Sequence, residues 1–212
     1  MACAAALSLL ERFPQIDARV SSSSGKANFT TDGVDVAIRN LPIDAATDSG
    51  LVIEKLFELA LVPVCSPRLI EAKGPFERPE SLMGLPLIHD DMFAGYGKSA
   101  PTWADWFKAA GVDGADTSRG VRFNSADHAL DAAGEGAGVV LAPDLLAYDD
   151  LRTGRLVIPY KLALPSGWAY HFVCPRRRSE DTHVRAFRMW AKQEMAAIDW
   201  SEVRPSGFFQ GL

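Results

Sequence analysis

Apolar positions fall in short blocks that switch between the strand period of two and the helix period between three and four. Ala4 to Arg12 carries Leu7 and Leu10 on one face with Pro14 beyond, which predicts a helix. Ile16 to Val20 alternates as a half-buried strand does, and Ser21 to Gly25 is a polar turn cluster. Ala27 to Asp32 reads as a short helix closed by Gly33. Val34, Val36 and Ile38 share one side of a strand, and Asn40 to Gly50 is loop-like. Leu51 to Cys65 is a long extended run, in which Pro63 argues against a central strand position near its end. Pro67 to Ala72 predicts a short helix. Gly74 to Gly84 predicts a connection with one turn at Glu80 to Met83, and Leu85 to Ile88 a buried strand.

In the second half, Thr102 to Ala110 predicts a helix with Trp103, Trp106 and Phe107 at spacings of three and four. Val121 and Phe123 mark a strand that leads to Asn124 and Ser125 at a helix entrance. Ala129 to Ala133 forms a small-residue helix ended by Gly134, Gly136 and Gly138. Val139 to Ala142 follows as a buried strand, and Pro143 and Asp144 start another helix. A dinucleotide loop needs G-x-G-x-x-G after a strand and before a helix. Here the order is reversed and the spacing is G-x-G-x-G, so helix capping is the better account. Trp168 to Cys174 predicts a strand. A final helix has Ser179 as N-cap and Val184, Phe187, Trp190 and Ala191 on its apolar face. The stretch from Trp200 onward reads as a loose tail.

With 212 residues, 48% hydrophobic and 23% charged, the chain fits one sizeable α/β domain or two small lobes. No apolar run approaches the roughly 20 residues of a membrane span. The start is not followed by a signal-peptide cleavage pattern, so a cytoplasmic protein is expected. Three scattered cysteines make neither a disulfide framework nor a zinc pattern. Net charge −5 argues against nucleic-acid binding by these residues alone.

Several blocks occur in a known order. They are LLERFPQIDARV (Leu9 to Val20), DGVDVAIR (Asp32 to Arg39), LVPVCSPRL (Leu61 to Leu69) and LPLIHDD (Leu85 to Asp91). After the Trp103 and Trp106 pair come FNSADHALDAAGEGAGVVLAPD (Phe123 to Asp144), GRLVIPY (Gly154 to Tyr160), AYHFVCP (Ala169 to Pro175) and VRAFRMW (Val184 to Trp190). Together the chain resembles the effector-binding (substrate-binding) domain of a LysR-type transcriptional regulator, in the glycine-cleavage-activator-like subgroup. The resemblance implies a two-lobed, periplasmic-binding-protein-like (type 2) α/β fold with an interlobe cleft. Residues 1–60 plus 173–212 would form lobe I and 61–172 lobe II. It further implies a small, anionic effector in the cleft, a homo-oligomer (dimer), no catalysis and no cofactor. DNA contact would come from a winged helix-turn-helix that is absent here. The first strand of the domain is also absent, so an N-terminally truncated domain is expected.

Candidate ligand-binding residues follow. Ser22 and Ser23 lie in the loop where the family lines its cleft, or in a plain solvated turn. Asn124 and Ser125 sit where free helix amides and a hydroxyl converge, as anion site or as simple N-cap. Arg39 could hold a carboxylate bidentately or pair with Asp35. Tyr170 matches a pocket-facing position of the family. His89, Asp90 and Asp91 are adjacent on an extended chain and make a poor chelate, so no metal is expected. The Trp103, Trp106 and Phe107 stripe reads as core, and Arg176 to Arg178 as a solvated connection. Two rival functions remain: a stand-alone solute-binding protein of the same fold, and an α/β enzyme. The latter has no G-x-S-x-G elbow or phosphate loop to support it.

Overall fold

A computed structural model describes residues 8–22, 25, 28–45, 48–91, 100–201 and 203. The first elements in chain order are α1 (residues 8–12), β1 (Ala37–Pro42), β2 (Leu51–Val64), α2 (Pro67–Lys73), β3 (Leu87–Asp90) and α3 (Trp103–Ala109). Then come β4 (Val121–Phe123), α4 (Ala126–Gly134), β5 (Val139–Pro143), α5 (Asp144–Thr153), β6 (Leu164–Pro175) and α6 (Thr182–Ala196). The described residues of Met1–Glu58 and Trp168–Ile198 form one compact unit, and those of Leu59–Gly167 and Asp199–Leu212 a second. The strands β2 and β6 each run through both.

In the first unit β1 pairs antiparallel with β6, from Ala37 opposite Val173 to Pro42 opposite Trp168. One sheet face packs on α6, where Val52, Phe172 and Cys174 meet Val184 and Phe187. These α6 residues share a face because they recur at helical spacing. The α1 residue Leu9 packs on Trp190 and Ala191, and Ser8 Oγ donates to Glu194 at 3.0 Å. Glu54 of β2 binds Arg188 at 3.1 Å and Lys192 at 2.6 Å, which pins the helix to the strand.

In the second unit the strand order is β2-β5-β3-β4. Here β5 is antiparallel to β2 and parallel to β3, and β3 is parallel to β4. Ala129, Ala133 and Ala147 let α4 and α5 approach Val62, Val64, Ile88, Val140 and Ala142 closely in one apolar cluster. Trp103, Trp106 and Phe107 are buried. Trp103 Nε1 donates to the Ile88 carbonyl at 2.9 Å and Trp106 Nε1 to that of Leu162 at 3.0 Å, so the stripe is core.

The α4 terminus is a Schellman motif: Gly136 N–H donates to Ala133 O and Ala137 N–H to Ala132 O, each at 3.0 Å. Gly136 carries the left-handed turn at φ 84°. Gly138 serves another need, since a Cβ there would lie 2.2 Å from the Pro86 carbonyl oxygen.

Several expectations are corrected. Residues 16–20 form no strand and are mostly exposed, because no ladder partner lies beside them among the described residues. Asn28 to Asp32 is a single turn, since the Asn28 side chain takes the Thr30 amide at 2.9 Å and competes with helix propagation. Ala27 lies outside the described residues. β1 begins later and reaches Pro42, into the stretch read as loop. Pro63 sits inside a central strand opposite Leu141. An antiparallel ladder uses only alternate amides toward each neighbour, so one missing N–H is tolerable there. Asp181, not Ser179, is the N-cap of α6; the Ser179 hydroxyl instead donates to the Arg176 carbonyl at 2.9 Å.

Candidate functional site

In the second unit β3 ends at Asp90, and the parallel strand β4 ends at Phe123, just before Asn124. Asp90 stands opposite Phe123 in their ladder, and the Asp91 amide donates to the Phe123 carbonyl at 2.7 Å. This sets Asp91 beside the chain that continues into Asn124 and Ser125. Ligands of open α/β sheets gather at such carboxyl ends. Ser125 is the N-cap residue of α4, yet its hydroxyl makes no capping bond. Its side chain is half-buried, while Asn124 is exposed. A cavity of about 320 Å³ opens in the same unit among Leu61, Asp91, Thr102, Trp103, Arg122 and Leu141. Neither Asn124 nor Ser125 lines it.

Its polar wall is internally paired. Arg122 binds Asp91 at 3.1 Å, and Thr102 forms a capping box with Asp105. His89 Nε2 bonds the Arg119 carbonyl at 3.0 Å, so the His89 to Asp91 run is tied down by structural contacts. Among the described residues no three His, Cys, Asp or Glu side chains converge as a metal set.

Arg39, Tyr170 and Ser22 belong to the first unit. Arg39 stands opposite His171, and Tyr170 opposite Asn40. Side chains alternate along a strand, so Arg39 and Tyr170 project from opposite faces of the sheet. The ladder therefore does not bring these two together. Asp35 pairs with Arg178, not with Arg39. Ser22 is exposed, and Ser23 lies outside the described residues. Of the triplet read as a solvated connection, Arg176 clamps the Ser49 and Leu51 carbonyls at 3.0 and 3.1 Å, so it is structural. Arg178 is structural too, through Asp35 and Asp181.

Two polar groups escaped the sequence reading. Asp144 is 0% exposed and accepts the amides of Ala60 at 3.2 Å and Leu145 at 2.8 Å. The Asn40 Oδ1 is buried and accepts no hydrogen bond among the described residues. The Pro143–Asp144 step signalled the first; nothing local signalled the second. Burial depresses the His171 pKa, and Lys55 adds to this, against the bond to the Ala169 carbonyl. Burial pushes the Cys65 thiol up to about 12 and raises Cys174 as well.

Comparison with known proteins places this geometry. The LysR substrate binding domain family matches residues 4–196. The glycine cleavage system transcriptional activator of Escherichia coli strain K12 is 33% identical over 189 residues, which are 87% of this chain and 57% of that protein. The HTH-type transcriptional activator AmpR of Pseudomonas aeruginosa is 29% identical over 189 residues, 89% of this chain and 59% of that protein. The chain thus spans under two thirds of these relatives, which are transcriptional regulators and not enzymes. The solved effector domain of the Pseudomonas aeruginosa AmpR superposes with TM-score 0.72 at 25% identity, covering 92% of this chain and 88% of that one. The AmpR effector binding domain of Citrobacter freundii gives TM-score 0.73 at 22% identity, covering 93% and 92%, and supports the fold. No helix among the described residues is long and apolar enough to cross a membrane. The chain belongs to the LysR substrate-binding domain family, and it is an effector-binding domain of a LysR-type regulator.

Proposed function

We propose that this domain senses a small anionic effector for a cytoplasmic transcription regulator. Ser125 and Asn124 at the head of α4 are donors to the anion, and the Tyr170 hydroxyl is a further candidate. Ser22 and Ser23 add loop donors. Arg39, on the other sheet face from Tyr170, contributes positive charge rather than a direct bond. Effector binding shifts an equilibrium between two states of the domain and so the geometry of a homodimer. DNA contact belongs to a helix-turn-helix in a longer protein.

The observation that supports this most is the unused Ser125 hydroxyl at the head of α4, beside the carboxyl end of β4. A capping serine normally commits that oxygen to its own helix. Calorimetric titration of the 212-residue chain with a panel of small mono- and dicarboxylates tests the proposal. At least one should bind, and Ser125→Ala and Tyr170→Phe should each weaken it roughly threefold to tenfold, the worth of one hydrogen bond. Unchanged affinity in both variants would exclude the assignment.

A further inference from the structure

Asn40 carries an unused carboxamide. Its Oδ1 is buried without a partner, and its side chain makes no hydrogen bond among the described residues. Buried acceptors are almost always satisfied, so an orphan asks for a ligand or water. Asn40 faces Tyr170 directly across the β1–β6 ladder, which puts both side chains on one face of the sheet. The pair lies two residues from Trp168, where β6 enters the first unit. Arg39, the cationic candidate, is on the other face with His171. Asn40 is half-buried, so the amide is neither sealed in the core nor freely hydrated.

We propose that Asn40 is a specificity-determining residue: its carboxamide accepts an N–H or O–H of the effector, which is therefore an amino or hydroxy acid rather than a plain carboxylate. This inference rests on the effector-sensing reading above. A carboxamide offers one acceptor and two donor hydrogens on a rotatable group. A plain carboxylate has acceptors only and leaves Oδ1 orphaned when bound. An α-amino or α-hydroxy acid supplies the missing donor while its carboxylate takes the amide hydrogens or the Tyr170 hydroxyl. A neutral amide thus selects by donor, whereas an arginine in its place would select by charge alone.

The test uses two matched series at equal concentration, pH and ionic strength: acetate, glycolate and glycine; succinate, malate and aspartate. Thermal shift and calorimetry are read on the wild-type chain, Asn40→Leu and Asn40→Ala, with circular dichroism to verify folding. Wild type should prefer the hydroxy or amino member of a series over the plain acid by roughly threefold or more, the worth of one hydrogen bond. Both variants should lose that preference yet keep the affinity for the plain acid. A wild type that binds the members of each series equally would overturn the role of Asn40 and leave the effector reading standing. So would variants that keep the preference. Failure of every member to bind wild type would overturn the effector reading, and the inference with it. Without ligand, Asn40→Leu should melt no lower than wild type, since it removes an orphan acceptor; a lower melting point would show a structural bond at Asn40 and refute the proposal.

Discussion

The Asp144 carboxylate accepts the amide hydrogen of Ala60, 84 positions away in sequence, at 3.2 Å. The same oxygen takes the Leu145 amide at 2.8 Å. One fully buried acid thus starts α5 and holds β2 just after that strand enters the second unit. Removing it strands buried donors, which costs more than a surface bond. Asp144→Ala should lower unfolding stability by about 2–4 kcal/mol, and Asp144→Asn, which keeps the acceptor oxygen, by about 1–2 kcal/mol. Urea unfolding measures both, and equal losses would show that the charge alone matters.

Gly136 and Gly138 separate two reasons for glycine. At Gly136 the backbone is left-handed, and nothing lies within 4 Å of where a Cβ would stand. Gly136→Ala should cost about 1 kcal/mol from backbone strain alone. At Gly138 a Cβ meets the Pro86 carbonyl, which also accepts the Val139 amide at 2.9 Å. Gly138→Ala should cost about 3 kcal/mol or more, because the β3–β5 approach must open. Melting temperatures of the two variants give the order; the reverse order would contradict this account.

The α/β class and most elements could be read from the chain because they depend on local pattern. The Leu51 to Val64 run, the α3 aromatic stripe and the α6 apolar face each carry their period in their own residues. The failures share a cause. Ile16 to Val20 has strand alternation, yet a strand exists only by pairing, and a partner is not encoded locally. At the candidate site, the place of Ser125 at the head of α4 could be read because a strand-to-helix entrance leaves a signature. The joint placement of Arg39 and Tyr170 could not, because ladder register decides which face each residue takes. Asn40 was missed for the same reason: its neighbour lies 130 positions on, across that ladder.

The Cys65 and Cys174 thiols should be inert in the folded chain. Cys65 and Cys174 are buried, and burial raises both thiol pKa values, to about 12 for Cys65. A protonated, shielded thiol reacts slowly. Mass spectrometry after brief alkylation near neutral pH should leave both unmodified until denaturant is added. Labelling of Cys65 within the native dead time would disprove the packing around it.

Stability should fall in two acid steps with different owners. His171 is 4% exposed, and burial first, then Lys55, hold its pKa below the ordinary 6.5. Once pH drops below that value, the unfolded chain gains a proton that the folded chain refuses. Stability therefore declines from pH 6.5 down to the folded pKa of His171. Glu54 acts lower. Burial favours its neutral form, but the bonds and charges of Lys192 and Arg188 win and hold its pKa below the ordinary 4.5. Its contribution is present above pH 4.5 and is lost as pH falls through the folded value. Melting temperature followed from about pH 7 to 3 should show both declines. His171→Gln should flatten the upper one and leave the lower, and Glu54→Gln should reduce the lower one, which Asp105 shares, and leave the upper. If His171→Gln left the upper decline intact, another group would own it, and the buried neutral imidazole on the Arg39 face would be the wrong explanation.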